Sequence, residues 1–323
     1  MAPGPIFNIP TPEFPGMGPD RTAGEVFQLL ADDTRLEILR AIAIAQHENR
    51  RTGVAELSFT DIYERVDVDS TAKLSYHLDE LTGVFLRKHD DGYAFTHAGE
   101  QLVRFVLAEN YRTPADVGPV ETDGQCLYCG QPALVASMHD QYFIIECADC
   151  ERPVFSYRIR PAQVRAHEGT DLIDAVIWEH AGDVIKMRQG VCPDCAGRMT
   201  TKVIDADDEP VPAPVPISFA TISECQQCLR MLSVPLPSAA AFHPEAVAFH
   251  WEHGVDVLGT GMWECYEYLH EGRWSAERTA SGAGTYLVEL DREATTLRLY
   301  LDESATVTRT ERVHRREQPD RRG

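Results

Sequence analysis

STAKLSYHLDEL, residues Ser70 to Leu81, has the apolar period of a helix. Leu74, Leu78 and Leu81 fall at i, i+4 and i+7, so one stripe packs inward and Lys73, Ser75, Tyr76 and His77 are left to face elsewhere. All four can donate hydrogen bonds. Ser70 suits the N-cap, and Gly83 suits the position just past the helix end.

The flanks give this helix its meaning. Upstream, ADDTRLEILRAIAIAQ places Leu36, Ile38, Leu39, Ile42 and Ala43 on a broad apolar face behind a cap at Asp32, Asp33 or Thr34. After a polar break at Arg50 to Gly53, SFTDIYERV reads as a shorter helix with Ile62 and Val66 inward, and VDVDS leads on to Ser70. Two helices joined by a tight turn make a helix-turn-helix. Downstream, Val84 to His89 and Tyr93 to Thr96 are strand-like and are joined by Asp90-Asp91-Gly92, a hairpin signal. The long helix Ala98 to Tyr111 closes the segment.

ADDTRLEILRAI, LSYHLDEL followed by GVFL, and YAFTHAGEQL together resemble the ArsR-type winged helix-turn-helix transcription regulators of archaea, over Thr22 to Tyr111. The resemblance implies a homodimer paired through the helices flanking the winged core, with recognition helices in successive major grooves of double-stranded DNA. Ser70, Thr71, Lys73, Ser75, Tyr76 and His77 would then meet base edges and phosphates, and Arg87 and Lys88 would touch the backbone from the wing. Metal-sensing members carry cysteines before the recognition helix or Asp, His and Glu ligands on the last helix. This chain has no cysteine before Cys126, and its last helix lacks that spacing.

Composition bounds the rest. A chain of 323 residues with 43% hydrophobic content suggests two or three domains with real cores. The formal charge is −21, from 51 acidic against 30 basic residues, and the only lysines are Lys73, Lys88, Lys186 and Lys202. Acids spread along the whole chain, with arginine preferred to lysine, resemble the proteins of salt-loving archaea, where molar salt screens charge to about 3 Å. Even Arg21 to Arg112 holds 16 acidic and 11 basic residues, so any surface for DNA is a small positive patch. Residues 1–20, with six prolines, read as a flexible arm, and no run of apolar residues is long enough for a membrane span. A cytoplasmic protein is expected.

Beyond a linker at 113–125, eight of nine cysteines form CxxC pairs: Cys126 with Cys129, Cys147 with Cys150, Cys192 with Cys195, Cys225 with Cys228. A two-residue gap lets one tight turn aim two thiolates at an ion, and a second turn completes a tetrahedron. ALVASM and YFIIE between the first two pairs read as the strands of a zinc ribbon at 126–158. RMTTKVI and ISFATIS, separated by the acidic, Pro-rich Asp205 to Pro216, read as a second ribbon at 191–235. Two structural zinc ions are expected, each with four thiolates and no open position; the alternatives are a redox dithiol, a rubredoxin-like iron, or thiolates that sense redox state or metal, and pairing between the outer knuckles is left open.

Residues 159–314 then form a C-terminal sensor or interaction domain that contains the second ribbon. Its helices run through LIDAVIWEHAGDVIKMRQG and PEAVAFHWEHGVDVLGTGMWECYEYL, and TYLVEL, TLRLYL and TVTRTERV form an antiparallel meander. His180, His243, His250 and His253 read as packing or solvated histidines, Cys265 as an inert core thiol, and Trp178, Trp251, Trp263 and Trp274 as core. Residues 315–323 form a basic tail. No phosphate loop, nucleophile elbow or HExxH is present, so no enzyme is expected. The fold class is α+β: a winged helix-turn-helix at 21–112, two zinc ribbons with four cysteines each, and a helical and β-meander unit. The expected function is a DNA-binding transcription regulator with a C-terminal domain for a small-molecule effector or a transcription-machinery partner. The alternative is an adaptor of the archaeal transcription machinery without sequence preference, which would copurify with polymerase subunits.

Overall fold

Side-chain caps start the helices of the N-terminal half, and they fix where each one begins. The computed structural model describes residues 21–48, 56–206, 217–279 and 285–314. The arm 1–20, the tail 315–323, the break at Arg50 to Gly53 and most of the Asp205 to Pro216 loop lie outside those residues. The chain is α+β and divides into two compact units, Met1–Arg112 and Thr113–Gly323.

In the first unit Thr22 and Glu25 make a capping box at α1 (Ala23–Leu29), a short helix the apolar periodicity did not disclose. Asp32 Oδ1 accepts the Arg35 N–H at 3.2 Å ahead of α2 (Asp33–Glu48). Ser58 and Asp61 box α3 (Phe59–Tyr63), and Ser70 accepts from the Lys73 N–H at the start of α4 (Thr71–Leu81). Leu74, Leu78 and Leu81 are fully buried beside Ile38, Ile42 and Ile62. Truncating one of these leucines to alanine would cost about 2–5 kcal/mol.

An antiparallel hairpin, β1 (Leu86–Lys88) and β2 (Tyr93–Phe95), follows α4, and Leu57 bridges to Tyr93 on its outer side. That bridge explains Gly92: a Cβ there would stand 2.2 Å from the Leu57 carbonyl oxygen, and φ is +157°. The last helix, α5 (His97–Leu107), is capped by Thr96, and a side chain at its Gly99 would strike the Phe85 carbonyl.

The second unit has one apolar core shared by three antiparallel sheets. The first sheet is β3 (Val117–Glu121), β4 (Leu134–His139), β5 (Tyr142–Cys147) and β6 (Pro153–Arg158), in that order. The expected linker 113–125 is thereby corrected, because β3 pairs with β4 as an edge strand despite its Gly118 and Pro119. Helices α6 (Pro161–Ala166) and α7 (Thr170–Arg188) come next, followed by the sheet β7 (Met199–Asp205), β8 (Phe219–Cys225) and β9 (Met231–Pro235). Helices α8 (Leu236–Ala241), α9 (Pro244–Glu252) and α10 (Met262–His270) lead to the meander β10 (Trp274–Arg278), β11 (Tyr286–Arg292), β12 (Thr295–Leu301) and β13 (Val307–His314).

Every residue of α8 is buried, and its alanines let it lie between the second sheet and the meander. Phe143 and Phe155 of the first sheet pack on Trp263 of α10 at 5.9 and 5.2 Å between ring centroids. One core thus runs through 126–158 and 159–314, where two separate domains were expected. Trp263 and Trp274 are core residues, but Trp178 is 57% and Trp251 68% exposed, on the outer faces of α7 and α9. The expectation of four core tryptophans is corrected for those two. Among the described residues no helix is long and apolar enough to cross a membrane.

Candidate functional site

Each CxxC pair sits on the same local turn. The N–H four residues after the first cysteine donates to that cysteine's carbonyl: Gly130 to Cys126, Glu151 to Cys147, Ala196 to Cys192 and Leu229 to Cys225, at 2.7 to 3.2 Å. Those four residues share a left-handed backbone, φ 72°, 54°, 58° and 61°, although only one is glycine. Further N–H groups point at sulfur: Tyr128 to Cys126, Gly197 to Cys195 and Gln227 to Cys225, each at 3.4 Å.

The turns face each other in pairs. Cys126, Cys129, Cys147 and Cys150 form one group, and Cys192, Cys195, Cys225 and Cys228 the other, with the four sulfurs of each within 4.8 Å of one another. Cys126 and Cys129 stand 3.6 Å from Cys150 and Cys147, while Cys192 and Cys195 stand 3.5 Å from Cys228 and Cys225. A disulfide needs about 2.05 Å. A tetrahedron of thiolates around an ion with bonds of about 2.3 Å has edges of about 3.8 Å, so the arrangement fits a metal ion. The thiols also share protons. Burial works to raise the Cys225 thiol, yet N–H groups of Cys228 and Gln227 and the neighbouring cysteines carry it down to about 6. Burial and the same neighbours push Cys228 up to about 12. A cation held there would take the place of those protons.

On α4 the residues divide by face. Lys73 and Tyr76 are exposed and Ser75 half-buried, with Ser70 and Thr71 exposed at the helix start and Arg87 and Lys88 exposed on β1. Lys73 Nζ lies 3.2 Å from Asp69, and Lys88 Nζ lies over the Tyr93 ring. His77 does not join them. It stands three residues after Leu74 and four before Leu81, so it belongs to the inward stripe, and it is 4% exposed. The expectation that His77 faces outward is therefore corrected. Its Nδ1 lies 3.8 Å from Asp32, and among the described residues neither ring nitrogen has a hydrogen-bond partner.

The other histidines have structural surroundings. His180 is buried with its ring edge-on to Phe155 and Tyr157, and burial holds it down at about 4. His250 Nδ1 meets the Ala246 carbonyl at 2.7 Å and its Nε2 accepts from Trp274 Nε1 at 3.2 Å. His243 caps α9, and His253 Nδ1 meets the Phe249 carbonyl. Burial pushes the Cys265 thiol up to about 12, which suits an inert core thiol. What periodicity missed is a buried polar group next to the second cysteine cluster. Tyr157 donates to Asp183, and Arg230 lies 3.6 Å from both Asp183 and Asp194. Asp194 lies inside the Cys192 to Cys195 turn, and Arg230 lies two residues past Cys228.

No curated protein and no solved structure matches the chain. Residues 23–106 match the family model described as Domain of unknown function (DUF7347). Residues 123–307, more than half of the chain and all eight paired cysteines, match the model described as Domain of unknown function (DUF7351), and the chain belongs to that family.

Proposed function

We propose that the chain is a DNA-binding transcription regulator of the ArsR-like winged-helix type, acting as a homodimer on double-stranded DNA, with a C-terminal domain held by two structural zinc ions. The observation that carries this reading is the division of α4. Its leucines are buried, while Lys73 and Tyr76 look outward with Ser75 half-buried between them, and the hairpin just after it leaves Arg87 and Lys88 exposed. Such a helix lies in a major groove with the hairpin as wing against the backbone. Tyr76 and Ser75 would meet base edges, and Lys73, Arg87 and Lys88 the phosphates. In a chain of charge −21, lysines at those two positions are where cations are most needed. Zinc supplies no chemistry here. Four thiolates close each site, so its part is to hold the sheets of the second unit in place.

Selection from random duplex DNA with the zinc-loaded full chain tests the reading. Enrichment of a two-fold symmetric site is expected, and Tyr76→Ala should weaken binding to it by about 1–3 kcal/mol at matched salt. No enriched sequence, or an unchanged isotherm for that variant, would turn the assignment toward a protein-binding adaptor.

A further inference from the structure

We propose that the second unit holds a binding site for one small monovalent anion, of the size of chloride or formate, in the cavity at Arg188. The cavity lies between the end of α7, the inner face of the β7–β8–β9 sheet, α8 and the β12–β13 turn. Its volume is about 40 Å³. A water needs about 10–15 Å³ on that measure, so the space takes two or three waters or one compact anion and excludes a nucleotide.

The lining is the reason to expect charge. Arg188 Nη1 donates to the Ala239 carbonyl at 3.0 Å, and among the described residues no carboxylate is within ion-pair distance of the guanidinium. Burial alone pulls its pKa down to about 10, and its charge works with burial to lower His243. A half-buried cation with no carboxylate beside it among the described residues is unexpected in a chain with 51 acids. The α7 carbonyl end offsets part of the charge, at most about half a unit.

Beside Arg188, the inner face of the sheet carries hydroxyls where the strand pattern calls for apolar side chains. Thr221 and Ser223 of β8 are 4% and 7% exposed. Thr221 spends its proton on the Val234 carbonyl at 3.2 Å. Thr201 Oγ1 and Ser223 Oγ stand 2.8 Å apart, and since one donates to the other, the pair keeps one O–H to give. Ser304, at the rim, bonds back to Asp302, whose carboxylate is occupied by the turn it closes. The donors on offer are thus the remaining Arg188 N–H groups and one hydroxyl, walled by Val184, Met187, Val234 and Leu301. Water answers the hydrogen bonds but leaves the charge uncompensated, and an anion answers both.

The site stands independently of the DNA reading, and its test uses the zinc-loaded full chain without DNA. Thermal unfolding is followed as chloride, or formate in a second arm, replaces gluconate at constant ionic strength. Either small anion at a hundred times its dissociation constant should raise the folded-to-unfolded ratio about 100-fold. Arg188→Met should abolish that response, and Ser223→Ala should weaken it. An equal response in wild type and Arg188→Met overturns the site. Should Arg188→Met fail to fold, bromide-soaked crystals of the wild type decide. An anomalous peak beside Arg188 is expected, and its absence overturns the proposal.

Discussion

The first cysteine cluster ties a sheet to itself, and the second ties a sheet to the core. In the first, Cys147 ends β5 and Cys150 precedes β6, and Tyr128, between Cys126 and Cys129, has Arg152 stacked 4.9 Å from its ring centroid. In the second, Cys192 follows α7 and Cys225 ends β8. Cys195 and Cys228 are both exposed, and Asp194 and Arg230 extend inward to Asp183 and Tyr157. Four turns of one design and two nearly equal sets of sulfur distances thus serve different ends. A ligand set describes a metal centre only locally, and the charged residues between and beside the cysteines determine what else depends on it.

Emptying the two centres one at a time separates these roles and carries the largest expected effect. Cys147→Ser and Cys225→Ser should each lower the metal content from two ions per chain to one. Metal in such sites contributes on the order of 10 kcal/mol to folding. Cys225→Ser should be the costlier, because the same change loosens Arg230 and leaves Asp183 without its cation. Amide exchange along α7 measures the difference, and equal exchange in the two variants would remove the distinction drawn here.

Arg230→Met leaves all eight thiols in place and breaks only the inward connection. An unpaired buried carboxylate costs about 3–5 kcal/mol. Denaturant unfolding should show a loss of that order together with faster metal transfer to a chelator from the second centre alone. Restoring balance with Asp183→Asn in the same chain should recover much of the loss.

Acid probes the second unit more gently. His180 and His250 sit near 4 in the folded chain against an ordinary 6.5, chiefly through burial. The unfolded chain therefore binds protons that the folded one refuses, so stability is full above about 6.5 and falls as pH drops toward about 4. Each histidine contributes a slope of up to about 1.4 kcal/mol per pH unit in that window. His180→Phe keeps the ring contacts with Phe155 and Tyr157 and should flatten the slope by one of these contributions in a pH series of denaturant unfolding curves.

What was legible in the sequence follows from how local each signal is. A CxxC turn is fixed by residues within five positions of one another, so the eight cysteines of the two clusters could be read directly. Leu74, Leu78 and Leu81 were equally plain. His77 was misread because the i+3 neighbour of a buried leucine belongs to the same stripe, and a polar residue there is easily assigned to the outside. Strand β3 was hidden by Gly118 and Pro119, which a short edge strand tolerates. Helix α1 did leave a signal, the Thr22 and Glu25 box, but seven residues are too few for a periodicity. Arg188 left none, because its cavity is made by segments spread from Val184 to Ala305.

The metal turns also bear on how much this chain can vary. The thiols of Cys192 and Cys228 meet although 36 positions separate them, and β7 and β8 stay in unbroken register up to Asp205 and Phe219, with the Ala206 N–H donating to the Ser218 carbonyl. The hairpin is therefore held at its base and again where β7 and β8 end, before the connection 207–216 begins. Each doubling of that connection costs only about 0.6 kcal/mol of closure entropy. A reporter domain spliced into that connection should therefore leave the metal content of the chain unchanged.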